Sequence, residues 1–154
     1  MVDAKSEKVT YTIKEAAKLS GLPESTLRYY EKIGIINPII RDVSSKHRVY
    51  SDDDLNIITA IACLNATGLS LSEMKSYLSN LALGEKAAPE QLKLLIIQKQ
   101  RLEEESRYLE LRKQYVDLKI DYWQAVSKKD LKASDIGARA KLIAARLKSH
   151  KDNI

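Results

Sequence analysis

Residues 12–34 read TIKEAAKLSGLPESTLRYYEKIG, and this stretch decides the fold. Thr12 followed three residues later by Glu15 is the pattern of a capping box, in which each side chain satisfies a backbone donor at a helix start. Gly21 breaks this first helix after about two turns. Pro23 suits the first turn of a second helix. Two short helices around a Gly-bearing tight turn predict a helix-turn-helix.

The residues that follow predict a wing and two further helices. Residues 35–41 and 47–50 are β-prone runs around the polar turn 42–46, which favours a hairpin. Ser51, followed by three aspartates, has the hydroxyl cap and first-turn acids of a helix start. Ser70 opens another helix in the same way. A hairpin directly after a helix-turn-helix is typical of a winged DNA-binding domain.

A long helix is predicted after Pro89, because no Gly or Pro occurs between there and Val126. Within this helix, apolar residues recur every seven positions over about 30 residues, which predicts a coiled coil and therefore a homodimer. The alternative is a long helix that folds back on its own domain. The predicted dimerisation residues are Leu95, Leu102, Leu109, Val116 and Trp123. A second, offset seam consists of Tyr108, Leu111, Tyr115, Leu118, Tyr122 and Ala125.

These patterns divide the chain into five segments and give a mainly α fold class, a winged helix-turn-helix with a small β-hairpin wing and a long dimerising coiled-coil helix. The basic tail is expected to be either an amphipathic helix or a solvated, partly disordered segment. The predicted segments are a flexible N-terminus (1–9), the DNA-binding domain (10–83), a connector (84–88), the coiled-coil helix (89–126) and the tail (127–154).

Composition excludes several classes of protein. The 154 residues contain only five Gly and three Pro, which favours long helices over many short strands. No stretch is apolar enough for a membrane span and no signal peptide is recognisable, so we expect a cytoplasmic protein without a membrane partner. A lone Cys63 excludes an intrachain disulfide and a Cys-pair zinc site. We find no Gly-rich phosphate loop, nucleophile elbow or paired-carboxylate motif, so we expect no enzyme, metal site or cofactor.

The charge pattern alone points away from the predicted DNA-binding domain. The chain carries a net charge of +5, yet residues 1–83 contain ten basic and ten acidic side chains. The tail, 127–154, holds eight basic residues against three acids. A prediction of DNA binding must therefore rest on sequence pattern and not on charge.

Five strings in one order and spacing resemble the MerR family of transcriptional regulators. The resemblance is close over residues 11–81 and extends in kind to the long helix. Pro23 departs from it, because many members place a hydroxyl cap there. The strings are Tyr11–Ala17, Thr26–Glu31, Gly34–Ile36, Arg48–Ser51 and Gly68–Met74.

The resemblance implies that residues 24–32 enter the major groove of double-stranded DNA. Arg28 would reach a phosphate or a guanine, and Thr12 and Lys14 would hold a phosphate at the start of the first helix. We expect one of the adjacent Tyr29 and Tyr30 to pack inward while the other touches DNA; the alternative places both in the core. The predicted DNA-binding residues are Thr12, Lys14, Thr26, Arg28, Tyr29, Tyr30, Lys46, Arg48 and Tyr50.

Family resemblance further implies a mechanism in which a dimer binds a palindromic promoter site and distorts the spacer between the two promoter elements that RNA polymerase reads. Activation and repression are both compatible with it. Cys63 and its surroundings resemble the aldehyde- and thiol-stress branch of the family (AdhR and NmlR proteins), so an electrophile is one possible effector. The alternative is an inert, buried Cys63. A second class remains open, an architectural protein that bends DNA without an effector.

Overall fold

The computed structural model describes residues 8–151 and is mostly helical. Residues 1–7 of the predicted flexible N-terminus lie outside the described part. Within it, no helix combines the length and apolar character needed to cross a bilayer. The elements are β1 (Thr10–Tyr11), α1 (Ile13–Ser20), α2 (Glu24–Lys32), β2 (Tyr50–Ser51), α3 (Asp52–Ala66), α4 (Leu71–Leu81), a 3₁₀ turn (Gly84–Ala87), α5 (Ala88–Ser127) and α6 (Ala133–Lys151).

Local capping sets the helix starts where the sequence predicts them. The Glu15 backbone N–H donates to Thr12 Oγ1 at 3.2 Å, and the Thr12 N–H donates to Glu15 Oε2 at 2.7 Å. Ser51 and Ser70 form the same reciprocal boxes at the starts of α3 and α4. Pro23 precedes α2 without a side-chain cap. Gly21 ends α1 at φ 75°, a left-handed backbone that glycine adopts without steric cost.

The predicted wing is present as a short, bridged hairpin. Val49 N–H donates to the Ile40 carbonyl at 2.8 Å, and a single antiparallel bridge joins Arg41 to Arg48. Beyond it, β2 pairs antiparallel with β1, with Tyr11 opposite Tyr50. The sequence does not predict β1, because a two-residue strand is too short to show an alternating pattern.

The first compact unit ends later than the predicted domain. The chain divides between Gln98 and Lys99, ten residues into the segment that sequence assigns to the coiled coil. Gln98 is buried and donates from Nε2 to the Thr67 carbonyl at 2.6 Å, and Leu94 packs against the core. The first turns of α5 therefore pack with the first compact unit, which extends past the predicted boundary at residue 83. The core consists of Ala16, Leu22, Leu27, Tyr30, Ile35, Ile36, Ile39, Tyr50, Ile58, Ile61, Leu69 and Met74.

In the second unit, α6 runs back along α5 and covers the offset seam. The Tyr108 ring stacks on His150 with centroids 4.1 Å apart, and a Cβ placed on Gly137 would lie 3.4 Å from the Tyr122 ring. Ala125 and Ala140 are buried. The seam that sequence offers as part of the coiled coil is thus an intrachain contact. In the described part of the tail, residues 127–151, Ala133–Lys151 form helix α6, as the helical alternative expects.

Candidate nucleic-acid interface

An open cleft in the first unit gathers basic side chains from three elements. It has a volume of about 530 Å³ and lies between the start of α1, the exposed side of α2 and the wing. Such a cleft suits an extended anion that crosses several elements. Its lining is Thr10, Tyr11, Thr12, Ile13, Lys14, Arg28, Arg41, Asp42, Ser45, His47, Arg48 and Val49.

The charge of this cleft arises from folding. Four of the lining side chains are permanently cationic, whereas Asp42 is the one carboxylate among them. The segment that contains the cleft has no net charge in sequence. Some of its acids are engaged in helix caps, such as Glu15 and Asp54, and others lie behind the lining and pair with Arg28 and Arg48. Cations collected on one face give the positive footprint that a phosphate backbone binds.

Arg28 reaches the cleft from the middle of α2. Its Nη2 lies 3.2 Å from Glu24 Oε2, one helical turn earlier, and the two side chains are 50% and 39% exposed. An ion pair so open to water contributes little to stability. Arg28 can therefore exchange Glu24 for a phosphate or a guanine at small cost.

Arg48 reaches the same cleft but is already paired. Its Nε donates to Glu31 Oε1 at 2.5 Å, while Glu31 Oε2 accepts the Ile39 backbone N–H at 2.8 Å. Burial acts to raise the pKa of Glu31, but the Ile39 hydrogen bond, the Arg48 hydrogen bond and the charges of Arg48 and Arg41 outweigh it and lower that pKa. Arg48 therefore positions the wing against α2, and its remaining donors are what the cleft can use.

The wing turn is organised by Asp42. Its carboxylate accepts the backbone N–H of Ser45 at 2.7 Å and the Ser44 hydroxyl at 2.8 Å, and these bonds lower the pKa of Asp42 to about 2. Lys46 follows with φ 61°, an uncommon left-handed backbone for a residue other than glycine. Lys46 is exposed at this turn, although its side chain does not line the cleft.

Of the adjacent Tyr29 and Tyr30, one packs inward and the other is exposed, as the first of the two expectations states. Tyr29 is 49% exposed, whereas Tyr30 is 5% exposed and donates to Asn65 Oδ1 at 3.4 Å. Tyr50 is 1% exposed, and burial raises its pKa. Tyr30 and Tyr50 are core residues in this structure, which corrects their prediction as DNA contacts: their rings fill the interior between α2, α3 and β2.

Two residues that sequence reasoning missed line the cleft, Arg41 and His47. Arg41 Nη1 donates to the Lys46 carbonyl at 3.1 Å and so lies across the base of the wing turn. The hairpin register would have identified it, because Arg41 pairs directly with Arg48. Thr26 is partly buried and does not line the cleft.

Cys63 lies in the last turn of α3 and is exposed, contrary to the alternative that buries it. Its thiol is therefore open to reagents in the solvent. Among residues 8–151, no group of three or more His, Cys, Asp or Glu side chains is placed to hold a metal ion.

Residues 11–81 match the family described as "MerR HTH family regulatory protein". A relative from Haemophilus influenzae, an uncharacterized HTH-type transcriptional regulator, is 32% identical over 120 residues, which cover 75% of this chain and 85% of the relative. The HTH-type transcriptional regulator AdhR of Bacillus subtilis is 34% identical over 90 residues, 58% of this chain and 64% of AdhR.

Solved structures show the same fold. The crystal structure of HiNmlR, a MerR family regulator lacking the sensor domain and bound to promoter DNA, superposes with a TM-score of 0.67 at 28% identity and covers 81% of this chain and 95% of that one. A MerR family regulator from Listeria monocytogenes gives a TM-score of 0.64 at 30% identity, with 83% and 98% covered.

Proposed function

Because this chain belongs to the MerR family of helix-turn-helix transcriptional regulators, we propose that it binds a palindromic promoter site as a homodimer and distorts the spacer between the two promoter elements. The observation that carries the proposal is the basic cleft between α1, α2 and the wing. The helix placed beside it, α2, is the second helix of the helix-turn-helix and hence the element that enters a major groove.

Different residues at the cleft contribute to affinity and to sequence recognition. The α1 start and the wing flank α2 and bring Lys14, Arg41 and Arg48 to the DNA backbone, where they position the protein. Arg28 and the exposed Tyr29 lie on α2 itself, so direct readout of bases belongs to them. HiNmlR, whose structure covers most of this chain, was solved bound to promoter DNA, which supports the same partner here.

A second copy of the chain is the proposed occupant of the heptad stripe on α5. Its five members are all exposed, from 41% at Leu95 and Leu102 to 63% at Trp123. An exposed apolar row of this length is costly in water, and a coiled coil with its own copy buries it symmetrically. Two copies would then hold two α2 helices at a fixed separation along the DNA.

The proposed mechanism uses that fixed separation. A dimer whose two recognition helices do not match straight DNA bends or untwists the spacer, and the paired phosphate contacts offset the deformation energy. We propose that this changes how RNA polymerase meets the two promoter elements. An architectural protein without an effector would make the same phosphate contacts but would bind many DNA sequences with similar affinity.

Footprinting of the purified protein on the DNA upstream of its own gene tests the proposal. We expect protection of two symmetric half-sites, with enhanced cleavage in the spacer where the duplex is distorted. Uniform, weak protection along the fragment would support the architectural alternative instead, and protection of one half-site by a monomer would contradict the dimer.

An electrophile sensor is the proposed role of Cys63. Its exposure in α3 supports this, since a reactive thiol must be accessible. The likeness to AdhR over 90 residues points in the same direction. Covalent addition to the thiol would alter packing at the end of α3, next to the turn that leads into α4.

A further inference from the structure

The α5–α6 hairpin, residues 99–151, carries an open cleft on one flank, and of its lining only Trp123 has a role above, in the proposed dimer stripe. Its volume of about 560 Å³ lies within the range of pockets that hold small organic molecules. Both helices contribute to it, and none of its residues belongs to the DNA-binding unit. The lining is Tyr115, Lys119, Tyr122, Trp123, Ser134, Gly137, Ala138, Ala140, Lys141 and Ala144.

The α5 wall of this cleft is aromatic. Tyr122 and Trp123 meet edge to face, with ring centroids 5.3 Å apart and planes at 80°. Trp123 remains 63% exposed, so one of its faces is open to the solvent. The open π-face of Trp123 favours a flat, apolar ligand that can stack on it.

Two lysine side chains lie close to these aromatic rings. Lys119 Nζ lies 5.8 Å from the Tyr115 centroid and 5.7 Å from the Tyr122 centroid, and Lys141 enters from α6. No carboxylate lines the cleft. Neither lysine forms an ion pair with any other residue of the described part, 8–151.

The neighbouring stretch of the same flank continues the pattern. A further cleft of about 460 Å³ is lined by Tyr108 and Tyr115 together with Arg112, Lys148 and Lys151, again without a carboxylate. Arg112 lies over the Tyr108 ring, 5.8 Å from its centroid. This flank is thus aromatic and cationic along the length of α6.

The opposite flank of the hairpin is balanced in charge. There Arg139 and Arg146 share a cleft with Asp117 and Asp121. The two clefts of the aromatic flank differ from it, because their linings contain cations and no carboxylate. Unpaired cations beside open rings select an anion that has a flat apolar body.

We propose that the cleft around Lys119 and Lys141 binds a flat organic anion, an aromatic ring system that carries a sulfonate, carboxylate or phosphate group. The ring stacks on the open face of Trp123, beside Tyr122, while the anionic group meets the two ammonium groups. Trp123 is also the last member of the proposed dimer stripe, so an occupied cleft bears directly on that seam. An effector role for this ligand rests on the proposed function; its binding does not.

Binding is measured on the full chain without DNA, using 8-anilinonaphthalene-1-sulfonate as the probe. Trp123 is the only tryptophan in the chain and lines the cleft, so energy transfer from it reports occupancy. We expect saturable binding, and we expect the double variant Lys119→Ala/Lys141→Ala to raise Kd by about tenfold or more. Lys119→Met/Lys141→Met keeps the apolar stems and serves if the alanine variant melts early.

The matched control removes two charges from the other flank. Arg139→Ala/Arg146→Ala is expected to change Kd by less than about twofold, because those arginines lie outside the lining of the proposed cleft. N-phenyl-1-naphthylamine, which has the same rings without the sulfonate, is expected to bind about tenfold more weakly or worse. Equal loss from both double variants, equal affinity for the neutral analogue, or no saturable binding overturns the proposal. A failed footprint with intact binding would count against the proposed function alone.

Discussion

Arg48 on the wing and Glu31 on α2 are joined by a hydrogen-bonded ion pair, 2.5 Å from Nε to Oε1. The two side chains are only 19% and 14% exposed, and the other Glu31 oxygen accepts the Ile39 backbone N–H. One carboxylate therefore connects the recognition helix with both sides of the wing. It sets the geometry between two of the three elements that border the basic cleft.

Glu31→Gln keeps the shape of this side chain and removes its charge. We expect the free energy of unfolding to fall by about 2 kcal/mol, since a hydrogen bond to a charged group in a mostly buried site is lost. Chemical denaturation measures the change. The control is Glu24→Gln, whose exposed pair with Arg28 predicts a loss of no more than about 0.5 kcal/mol.

The same variant has a pH signature. Because the pKa of Glu31 is lowered from its ordinary 4.5, its contribution to stability is complete above that value and disappears as the pH falls through the lower folded-state pKa. The difference in unfolding free energy between wild type and Glu31→Gln should therefore shrink as the solution is acidified below about pH 4.5. A difference that does not change with pH would show that the charge of Glu31 is not what holds the wing.

The two adjacent tyrosines should separate stability from DNA binding. Tyr30→Ala empties a core site and is expected to cost about 3–5 kcal/mol of stability. Tyr29→Ala removes an exposed ring and should leave stability within about 1 kcal/mol while weakening DNA binding. Thermal melts and mobility shifts on the operator measure the two effects. A Tyr29 variant with full DNA affinity would remove this ring from the interface.

Arg28→Ala should weaken binding to the operator by about 1–3 kcal/mol, roughly tenfold or more, because a charged contact to a base or phosphate is lost. The fold should be unaffected, since its ion pair is exposed. Arg107→Ala, an exposed arginine on α5, is the control and should bind DNA as wild type does. Equal affinity of both variants for the operator would contradict the assignment of α2 as the reading helix.

Leu109→Asp places a charge in the exposed stripe of α5 and should convert the proposed dimer into a monomer. Sedimentation at several concentrations distinguishes the two states. Leu142→Asp makes the same chemical change at a 68% exposed leucine of α6 that lies off the stripe, and it should leave the dimer intact. A wild-type chain that sediments as a monomer at all concentrations would remove the proposed interface.

Cys63→Ser should retain DNA binding and lose the response to formaldehyde or methylglyoxal in a promoter reporter, because the hydroxyl is a far weaker nucleophile than the thiolate. Mass spectrometry of the treated wild-type protein should show an adduct on Cys63. An unchanged response of the variant would leave the thiol as an ordinary surface residue.

Sequence patterns predicted the helix order and most helix starts well. Thr12, Ser51 and Ser70 form capping boxes within four consecutive residues, so the interactions that set those boundaries are all visible in sequence. The five strings in residues 11–81 that resemble the MerR family are likewise short and local, so they could be recognised in sequence. The site was predicted only partly: Thr12, Lys14, Arg28 and Arg48 do line one cleft, but Arg41 and His47 were missed.

The sequence by itself determined helices α1 to α5, the winged helix-turn-helix and the apolar stripe of α5. The tertiary structure alone decided that Tyr30 points inward and Tyr29 outward, that Arg48 is engaged by a carboxylate 17 positions away, and that α6 covers one seam of α5. The physical reason is range. Caps and periodicity act over one or two turns of a helix, whereas burial and charge pairing depend on which distant residues the fold brings together.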